Sequence, residues 1–428
     1  MKVLVTGSGG REHGLAWKLA QSNKVDKVYV APGNAGTAQE TGIENVDIDV
    51  MDFDSLIAFA RSEGVELTVI GPEDPLVDGV VDAFEAAGLA CFGPSRDAAQ
   101  LEGSKSFTKA FLKKYDIPTG DYEVFETPEP ALAYIADQAP PFVIKADGLA
   151  AGKGVVIAAD HAEAEATIRD MLAGNMLGSA GSRIVIEEFL VGEEASFIVI
   201  ADGENCLPFA SSQDHKAAYD GDTGPNTGGM GAYSPAPVVT DEVHQRIIDR
   251  VIRPTLEGMR EEGHAYTGFL YAGLMIDPAG NPKVIEFNCR FGDPETQPVM
   301  TRLESDLIDL MFAALDGRLA ETDISFNPQS ALTVVMASGG YPGSYEKGKV
   351  ITGLDLATSA KVFHAGTALA GCDVVTAGGR VLGVTALGDS VSAAQANAYA
   401  AVRQITFEGA AYRTDIGYRA IARERGED

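Results

Sequence analysis

Three side chains that could bind a metal and a phosphate lie at alternate positions between residues 286 and 290. Glu286, Asn288 and Arg290 follow the apolar pair Val284 and Ile285, and a strand would point all three to one face. Mg²⁺ takes oxygen ligands and is usually held by one or two side chains together with substrate phosphates. A neighbouring guanidinium could bind a developing phosphate or acyl-phosphate charge through its planar fork of donors. Residues 286–290 therefore predict a metal and phosphate site, with a solvated edge strand as the alternative.

A glycine-rich loop between two apolar strands is a second possible phosphate site. It reads A-D-G-L-A-A-G-K-G over residues 146–154, with Lys145 at its base and Lys153 within it. The spacing is one residue short of a Walker A loop, Gly154 occupies the Ser/Thr position, and the loop leads into a strand, so that assignment fails. What remains is a loop flexible enough to fold over phosphates.

Two further stretches could contact a nucleotide. Lys105 lies in the first turn of a helix predicted over residues 104–115, where a cation opposes the helix dipole. It is therefore either placed for an anion or solvated at the surface. An acidic hinge at residues 187–194 joins two predicted strands whose exposed backbone could pair with a base, while Glu194 accepts ribose hydroxyl protons. A solvated hairpin is the alternative for this hinge.

The first hundred residues predict a parallel α/β sheet with ligands beyond the carboxyl ends of its strands. A strand at residues 2–6 leads through G-S-G-G-R-E-H at 7–13 into a helix, which makes an anion site from backbone N–H groups. Glu12 replaces the third glycine of a dinucleotide fingerprint, and the second strand ends in A-P-G-N at 31–34 without an acidic residue. Both departures disfavour a nicotinamide-dependent dehydrogenase. His13 either faces a sugar phosphate or serves in capping and packing.

The composition is that of a folded, strongly acidic protein. The 428 residues suggest about three domains, and 45% hydrophobic with 22% charged residues excludes a disordered chain. A net charge of −29 disfavours nucleic acid and anionic membranes as partners. Four widely separated cysteines indicate neither disulfides nor zinc. The chain lacks an apolar stretch of about 20 residues and begins with a strand, so the cytoplasm is the expected compartment.

Residues 213–233 are rich in glycine and lack a regular period, which is typical of a functional loop. Lys216 could reach a γ-phosphate, and the glycines at 229–231 could let backbone approach a substrate. His215 is either a proton acceptor or a structural histidine.

Taken in order, these pieces resemble the ATP-grasp superfamily, and the longer motifs resemble one family within it, the phosphoribosylamine-glycine ligases. The motifs that carry this resemblance are G-G-R-E-H at 9–13, A-P-G-N-A-G-T at 31–37, K-A-D-G-L-A-A-G-K-G at 145–154, Q-D-H-K at 213–216, G-P-N-T-G-G-M-G-A-Y at 224–233 and N-C-R-F-G-D-P-E-T-Q at 288–297. One departure is the apolar run Leu274, Met275 and Ile276, where many superfamily members carry a further carboxylate metal ligand. The number of metal ions, one or two, stays open.

The resemblance implies a multidomain α/β and α+β protein. It would comprise an N-terminal Rossmann-like parallel sheet over residues 1–103, an ATP-grasp core of two subdomains over 104–328 and a small C-terminal α+β domain over 329–428. Residues 123–192 would form a mobile lid over the nucleotide. The sequence itself predicts strands from residue 330 onward and a helix at about 390–406.

The implied reaction joins glycine to 5-phospho-β-D-ribosylamine in de novo purine biosynthesis, and ATP becomes ADP and phosphate. The glycine carboxylate attacks the γ-phosphate to form glycyl phosphate, and the amine then displaces phosphate. A carboxylate is already a nucleophile, which agrees with a sequence that has no recognisable catalytic triad. The implied partners are these small molecules with Mg²⁺ or Mn²⁺, and neither nucleic acid nor membrane.

The resemblance also implies roles for individual residues. Catalysis is expected from Arg290, Lys216 and Asp293, and metal binding from Glu286 and Asn288. The expected ATP ligands are Lys105, Lys145, Gly148, Gly152, Lys153, Gly154, Glu187, Phe189, Leu190 and Glu194. The expected substrate ligands are Gly10, Arg11, Glu12, His13, Asn34, Asp214, Gly229, Gly231, Asp293 and Thr296. Another ATP-grasp carboxylate-amine ligase, or a nucleotide-binding sensor without turnover, remains an alternative function.

Overall fold

The computed structural model describes residues 1–149, 154–173 and 182–427. Its N-terminal part is a parallel sheet with strand order β3-β2-β1-β4-β5. The elements are β1 (Lys2–Gly7), α1 (Gly10–Leu19), β2 (Lys27–Pro32), β3 (Ile43–Asn45), α2 (Phe53–Glu63), β4 (Leu67–Ile70), α3 (Glu73–Asp78), α4 (Val80–Ala86), β5 (Cys91–Phe92) and α5 (Gln100–Gly103). The apolar strands are buried because helices cover the sheet, as is usual for parallel sheets. Gly79, with φ of +91°, ends α3 and separates it from α4.

The second part is an antiparallel sheet with strand order β6-β9-β7-β8, covered on one side by helices. The elements are α6 (Lys105–Lys114), β6 (Tyr122–Phe125), α7 (Pro128–Ala136), β7 (Phe142–Ala146), β8 (Val155–Ala158), α8 (His161–Leu172) and β9 (Ile184–Glu187). Ser104 caps α6 by accepting a hydrogen bond from the Phe107 N–H, as its sequence predicts. Lys145 pairs with Val155, so the glycine-rich loop joins two adjacent strands, also as predicted.

The third part contains the strand that carries Glu286 and Asn288, in a sheet with strand order β11-β10-β16-β17. Its elements are β10 (Glu193–Asp202), β11 (Cys206–Pro208), β12 (Gln213–Asp214), β13 (Ala217–Tyr219), β14 (Thr223–Asn226), β15 (Gly231–Ser234), α9 (Asp241–Ile247), a π-helical stretch (Ile248–Ile252), α10 (Arg253–Glu261), β16 (Thr267–Ile276), β17 (Pro282–Asn288), α11 (Thr296–Arg302) and α12 (Leu307–Leu315). Val284 pairs with Leu274 and Glu286 with Gly273, so Ile285 forms a bulge in β17.

The last part is an antiparallel sheet with strand order β12-β15-β18-β22-β19. Its own elements are β18 (Ser330–Ala337), β19 (Lys361–His364), β20 (Thr367–Ala370), β21 (Asp373–Thr376), β22 (Arg380–Gly388), α13 (Val391–Val402) and α14 (Tyr418–Glu424). Residues 213–233, expected to be irregular, instead contain β12 to β15, and two of these strands extend the C-terminal sheet. Within the described ranges, we find no helix with the length and apolar character needed to cross a bilayer.

Candidate active site

A cavity of about 450 Å³ lies where all four parts of the molecule meet. Its apolar side is formed by the sheet of β7 and β8 and by the chain after β9, and includes Val143, Ile157, Phe189 and Leu190. Its opposite side is polar and combines residues from the N-terminal sheet, β17, the β13–β14 hairpin and β22. An apolar slot that continues into a charged pocket suits a nucleotide whose base and phosphates need different surroundings.

At the apolar end, Glu187 lies between two buried lysines. The Glu187 carboxylate is 2.8 Å from Lys109 Nζ and 3.0 Å from Lys145 Nζ, and none of the three side chains is more than 6% exposed. Lys145 Nζ also donates to the Ile285 carbonyl at 3.1 Å. Burial lowers the pKa of Lys109 more than Glu187 raises it. The predicted base-binding carboxylate is thus engaged with cations.

The helix that carries Lys105 is tied to the base of the glycine-rich loop. Lys105 Nζ donates to the Gly148 carbonyl at 3.0 Å and lines the cavity, which excludes the solvated alternative. Burial lowers the pKa of Lys105. Asp147 accepts bonds from the Ser106 N–H at 2.6 Å and from Arg183 Nε at 2.7 Å. These bonds fix the first residues of the loop against α6.

Lys216 joins the two carboxylates that were assigned to ribose and metal. Its Nζ is 3.3 Å from Glu194 and 3.5 Å from Glu286. Burial would lower the pKa of Lys216, but Glu194 and Glu286 raise it well above its ordinary value. Burial would likewise raise the pKa of Glu286, but Lys216, Lys145 and Lys105 hold it lowered to about 2. Glu286 is therefore ionised throughout the neutral range, as a hard-cation ligand must be.

Arg290 is held by groups from the N-terminal part of the chain. Its Nε donates to Glu73 at 3.1 Å, and its Nη2 donates to Glu102 at 2.8 Å and to Asn288 Oδ1 at 3.1 Å. The other Glu102 oxygen accepts from the Cys289 N–H at 2.7 Å. Burial raises the pKa of Glu102 to about 7, although Arg290 acts to lower it. Glu102 thus fixes both the guanidinium and the backbone beside Asn288.

Glu286 and Asn288 line the cavity together and offer two oxygen donors on one wall. In the part of the chain that the structure describes, no cluster of three or more His, Cys, Asp or Glu has metal-binding geometry. Leu274 and Ile276 on the neighbouring strand are buried and apolar. A two-donor wall beside a phosphate pocket fits Mg²⁺, which is usually completed by phosphates and water rather than by a protein cage.

The other end of the cavity combines carboxylates with arginines from two flanking parts of the chain. Asp293 lies near Arg380 and Arg11, which lower its pKa against the effect of burial. Asp214 Oδ1 is buried and has no hydrogen-bond partner among the described residues. Burial and the nearby Glu295 raise the pKa of Asp214 well above its ordinary value. This end therefore offers both cationic and anionic groups to a second substrate.

Family models for the phosphoribosylglycinamide synthetase N domain, ATP-grasp (A) domain and C domain match residues 1–102, 103–296 and 331–419. The phosphoribosylamine–glycine ligase of Pseudomonas syringae pv. tomato is 64% identical over 430 residues, and the match covers 100% of both chains. The chain belongs to the phosphoribosylglycinamide synthetase family. The resemblance given by the sequence motifs is thereby confirmed.

Solved structures agree with this family membership. The crystal structure of phosphoribosylamine–glycine ligase from Thermotoga maritima has a TM-score of 0.85 at 35% identity, and covers 97% of this chain and 100% of that one. The biotin carboxylase domain of Hydrogenobacter thermophilus 2-oxoglutarate carboxylase, in complex with MgADP, ADP and bicarbonate, has a TM-score of 0.71 at 16% identity, and covers 96% of this chain and 91% of that one. The second likeness shows the fold alone. The predicted fold class is confirmed.

Several residues expected to bind substrate in this synthetase family member lie outside the cavity lining. They are Gly10, Glu12, His13, Asn34, Gly229, Gly231 and Thr296. Glu12 accepts from the Gly9 N–H at 2.7 Å and from Arg11 Nε at 2.6 Å, and Thr296 Oγ1 donates to the Gly292 carbonyl at 2.5 Å. Of the expected ATP ligands, Gly154 lines the cavity, Gly148 is absent from the lining but accepts a hydrogen bond from Lys105, and Gly152 and Lys153 fall outside the described residues.

Two of the residues outside the cavity lining, His13 and Asn34, connect the N-terminal part of the chain to β19. His13 Nε2 is 3.1 Å from Glu40, and its Nδ1 accepts from the His364 N–H at 2.8 Å. Asn34 Nδ2 donates to the His364 carbonyl at 2.9 Å. Burial lowers the pKa of His13. His13 is buried and bonded to β19, and its contact with a sugar phosphate stays a prediction.

His215 also has a structural environment. Its Nε2 accepts from the Gly417 N–H at 3.1 Å, and it is absent from the described cavity lining. Burial, together with the Arg413 guanidinium, lowers the pKa of His215 to about 4.

Three residues of the site have no motif that marks them in a single sequence: Lys109, Glu102 and Arg380. Lys109 offered one usable signal, because it lies four residues after Lys105 and therefore on the same face of α6.

Proposed function

We propose that the chain ligates glycine to 5-phospho-β-D-ribosylamine with conversion of ATP to ADP and phosphate, as a step of purine biosynthesis. The observation that carries the proposal is 64% identity to a phosphoribosylamine–glycine ligase over the whole of both chains. The cavity is consistent with it, because groups for a nucleotide, a metal and a second anionic substrate line one space.

In the first step, a glycine carboxylate oxygen attacks the γ-phosphorus of ATP, the bond to the β,γ-bridging oxygen breaks, and ADP leaves. We assign Lys105 and Lys145 to the nucleotide phosphates and Lys216 to the γ-phosphate, because all three lysines face the cavity near Glu286. Such transfers need positioning and charge neutralisation rather than a protein nucleophile. A divalent cation on Glu286 and Asn288 would supply further neutralisation of phosphate charge.

In the second step, the amine of phosphoribosylamine attacks the carbonyl carbon of glycyl phosphate. The C–O bond breaks, phosphate leaves with the electron pair, and the new amide nitrogen loses a proton. Arg290 donates four of its five N–H groups to Glu73, Phe291, Glu102 and Asn288. We therefore assign Arg290 to orienting Asn288 and to stabilising anionic charge at short range, with one N–H group left for substrate.

The test is ADP release from ATP and a divalent metal with glycine and freshly generated phosphoribosylamine, each omitted in turn. Release that requires both substrates is expected, with glycinamide ribonucleotide as the product seen by mass spectrometry. Release with other acid and amine pairs alone would instead favour another carboxylate-amine ligase. Titration with Mg²⁺ and Mn²⁺ in the same assay identifies the preferred metal, and Arg290→Ala is expected to reduce turnover much more than ATP affinity.

A further inference from the structure

Three guanidinium groups line the cavity, one each from the N-terminal sheet, the end of β17 and the C-terminal sheet. They differ in the number of their N–H groups that already donate hydrogen bonds to other protein groups. Arg11 Nε donates to Glu12, and four N–H groups of Arg290 are engaged. Arg11 Nη1 also donates to the Phe291 carbonyl at 3.4 Å, so among the described residues Arg11 and Arg380, the first residue of β22, both leave more N–H groups free than Arg290 does.

Arg380 is held through a single nitrogen. Its Nη1 donates to the Gly228 carbonyl at 2.5 Å and to the Asp293 carbonyl at 2.7 Å. Its Nη2 is 3.4 Å from an Asp293 carboxylate oxygen, and no hydrogen bond from Nε or Nη2 is found among the described residues. Three N–H groups, one on Nε and two on Nη2, remain for a ligand.

Gly228 provides the space in which this guanidinium lies. A Cβ atom at Gly228 would be 3.0 Å from Arg380 Cζ and 3.1 Å from its Nη2. The guanidinium thus lies against the backbone, and a Cβ atom at position 228 would push it away by a few tenths of an ångström. Tyr341 Oη, also from the C-terminal part, accepts from the Gly228 N–H at 3.2 Å. The Arg380 guanidinium is therefore positioned by Gly228, which is itself bonded to Tyr341, more than 100 residues later in the sequence.

The location of Arg380 separates it from the groups assigned to ATP and glycine. Lys105, Lys145 and Lys216 surround Glu286, which is where the γ-phosphate and the attacking glycine carboxylate must meet. Arg380 instead pairs with Asp293, whose carboxylate also accepts a bond from the backbone N–H of Arg11 in the N-terminal part. The remaining anion of the reaction is the 5-phosphate of phosphoribosylamine.

We propose that Arg380 binds the 5-phosphate of the ribosylamine substrate, so that the C-terminal sheet contributes directly to acceptor recognition. This inference rests on the proposed function. A guanidinium with several free donors is suited to bidentate contact with a phosphate, and an amide of similar size cannot supply the charge.

The first test is steady-state kinetics of Arg380→Gln beside wild type. The KM for phosphoribosylamine is expected to rise about 10- to 100-fold, the usual range for loss of a charged hydrogen bond, whereas the KM values for ATP and glycine change less than about twofold. Arg403→Gln is the matched control, because Arg403 lies in the same part of the chain, at the exposed end of α13. It should behave as wild type for all three substrates.

A second variant and a second substrate separate phosphate recognition from loss of local structure. Gly228→Ala retains Arg380 but shifts its guanidinium by a few tenths of an ångström, and should raise the same KM selectively. Ribosylamine without the 5-phosphate should be a poor substrate of wild type, and Arg380→Gln should lower its kcat/KM little. Ribose 5-phosphate, which is chemically stable, should bind Arg380→Gln about 10-fold or more weakly than wild type by calorimetry.

An unchanged KM for phosphoribosylamine in Arg380→Gln would overturn the inference, as would an equal rise in all three KM values, which would mean that Arg380 only holds residues 228–229 and Asp293. A selective rise in the KM for glycine would also overturn it. If wild type forms no product from glycine and phosphoribosylamine, the proposed function itself fails and this inference fails with it.

Discussion

Replacement of Glu187 by Gln should destabilise the sheet of β7 and β9, because Glu187 is the common partner of two buried lysines. Lys109 and Lys145 lie 2.8 and 3.0 Å from its carboxylate, and their side chains are 3% and 4% exposed. The change is close in volume and leaves a hydrogen-bonding amide. It therefore removes the negative charge with little change in packing.

The expected loss of stability in Glu187→Gln follows from the burial of Glu187, Lys109 and Lys145. Removal of one partner from a buried ion pair typically costs about 3–5 kcal/mol, because the other charge is left uncompensated. Lys109 keeps a bond to Thr119 Oγ1 at 2.8 Å and Lys145 keeps its bond to the Ile285 carbonyl, so the lower end applies. A loss of about 3 kcal/mol corresponds to a roughly 150-fold change in the opening equilibrium of the sheet.

Hydrogen–deuterium exchange of the amides of β7 and β9 measures this opening directly. The matched control is Glu188→Gln, the same change at the next residue, whose partner Lys283 is 3.2 Å away in a pair that is 43% exposed on both sides. An exposed pair of this kind contributes about 0–1 kcal/mol. Adding Lys109→Met to Glu187→Gln should restore part of the protection. Equal loss of protection in Glu187→Gln and Glu188→Gln would refute the reasoning, as would further loss in the double variant.

Three other changes probe the site and its surroundings. Glu286→Gln should weaken the apparent affinity for Mg²⁺ about 10-fold or more in a metal titration of ADP release, because a neutral amide replaces the charged oxygen donor; an unchanged metal titration would remove Glu286 from the metal site. Glu102→Gln should lower kcat about 10-fold with little change in the KM for ATP, since Arg290 loses a bonded counter-charge; a rise in the KM for ATP with normal kcat would contradict this. The pKa of His215 is lowered to about 4 against about 6.5 in the unfolded chain, so its neutral form stabilises the fold above pH 6.5, and this stabilisation is lost as the pH falls towards 4. The unfolding free energy of wild type should therefore fall relative to His215→Asn by up to about 1.4 kcal/mol per pH unit in that range, and parallel pH profiles in urea titrations would contradict it.

Local signals in the sequence were sufficient to predict the helices and strands that carry the main motifs. Ser104 and Ser390 were expected to begin helices, and each accepts a hydrogen bond from the N–H three residues later. The period of two after Val284 correctly placed Glu286 and Asn288 together on the cavity wall, even though Ile285 forms a bulge before them. These predictions succeed because caps and strand periodicity depend on neighbouring residues.

The partners of the site residues could not be predicted in the same way. Arg290 bonds to Glu102, 188 residues away, and Arg380 bonds to Gly228, 152 residues away. Such contacts depend on how separate sheets pack, which a single sequence does not encode in any local pattern. His13 is a similar case, because the helix after the glycine turn was correctly predicted, but the His13 ring accepts a hydrogen bond from the N–H of His364, 351 residues later.

The charges around the cavity give a physical reason for a divalent metal in so acidic a protein. Among the described residues, the lining contains seven lysines and arginines and nine carboxylates, a formal charge of −2. The whole chain carries −29. Per residue, the lining is therefore about as acidic as the whole chain, and the phosphates of ATP need further neutralisation there. ATP delivered as a complex with one divalent cation carries two fewer negative charges, which reduces its repulsion from the carboxylates of the lining. The lysines already held by Glu187, Glu194 and Glu286 can then attract the phosphates without first overcoming a net negative field.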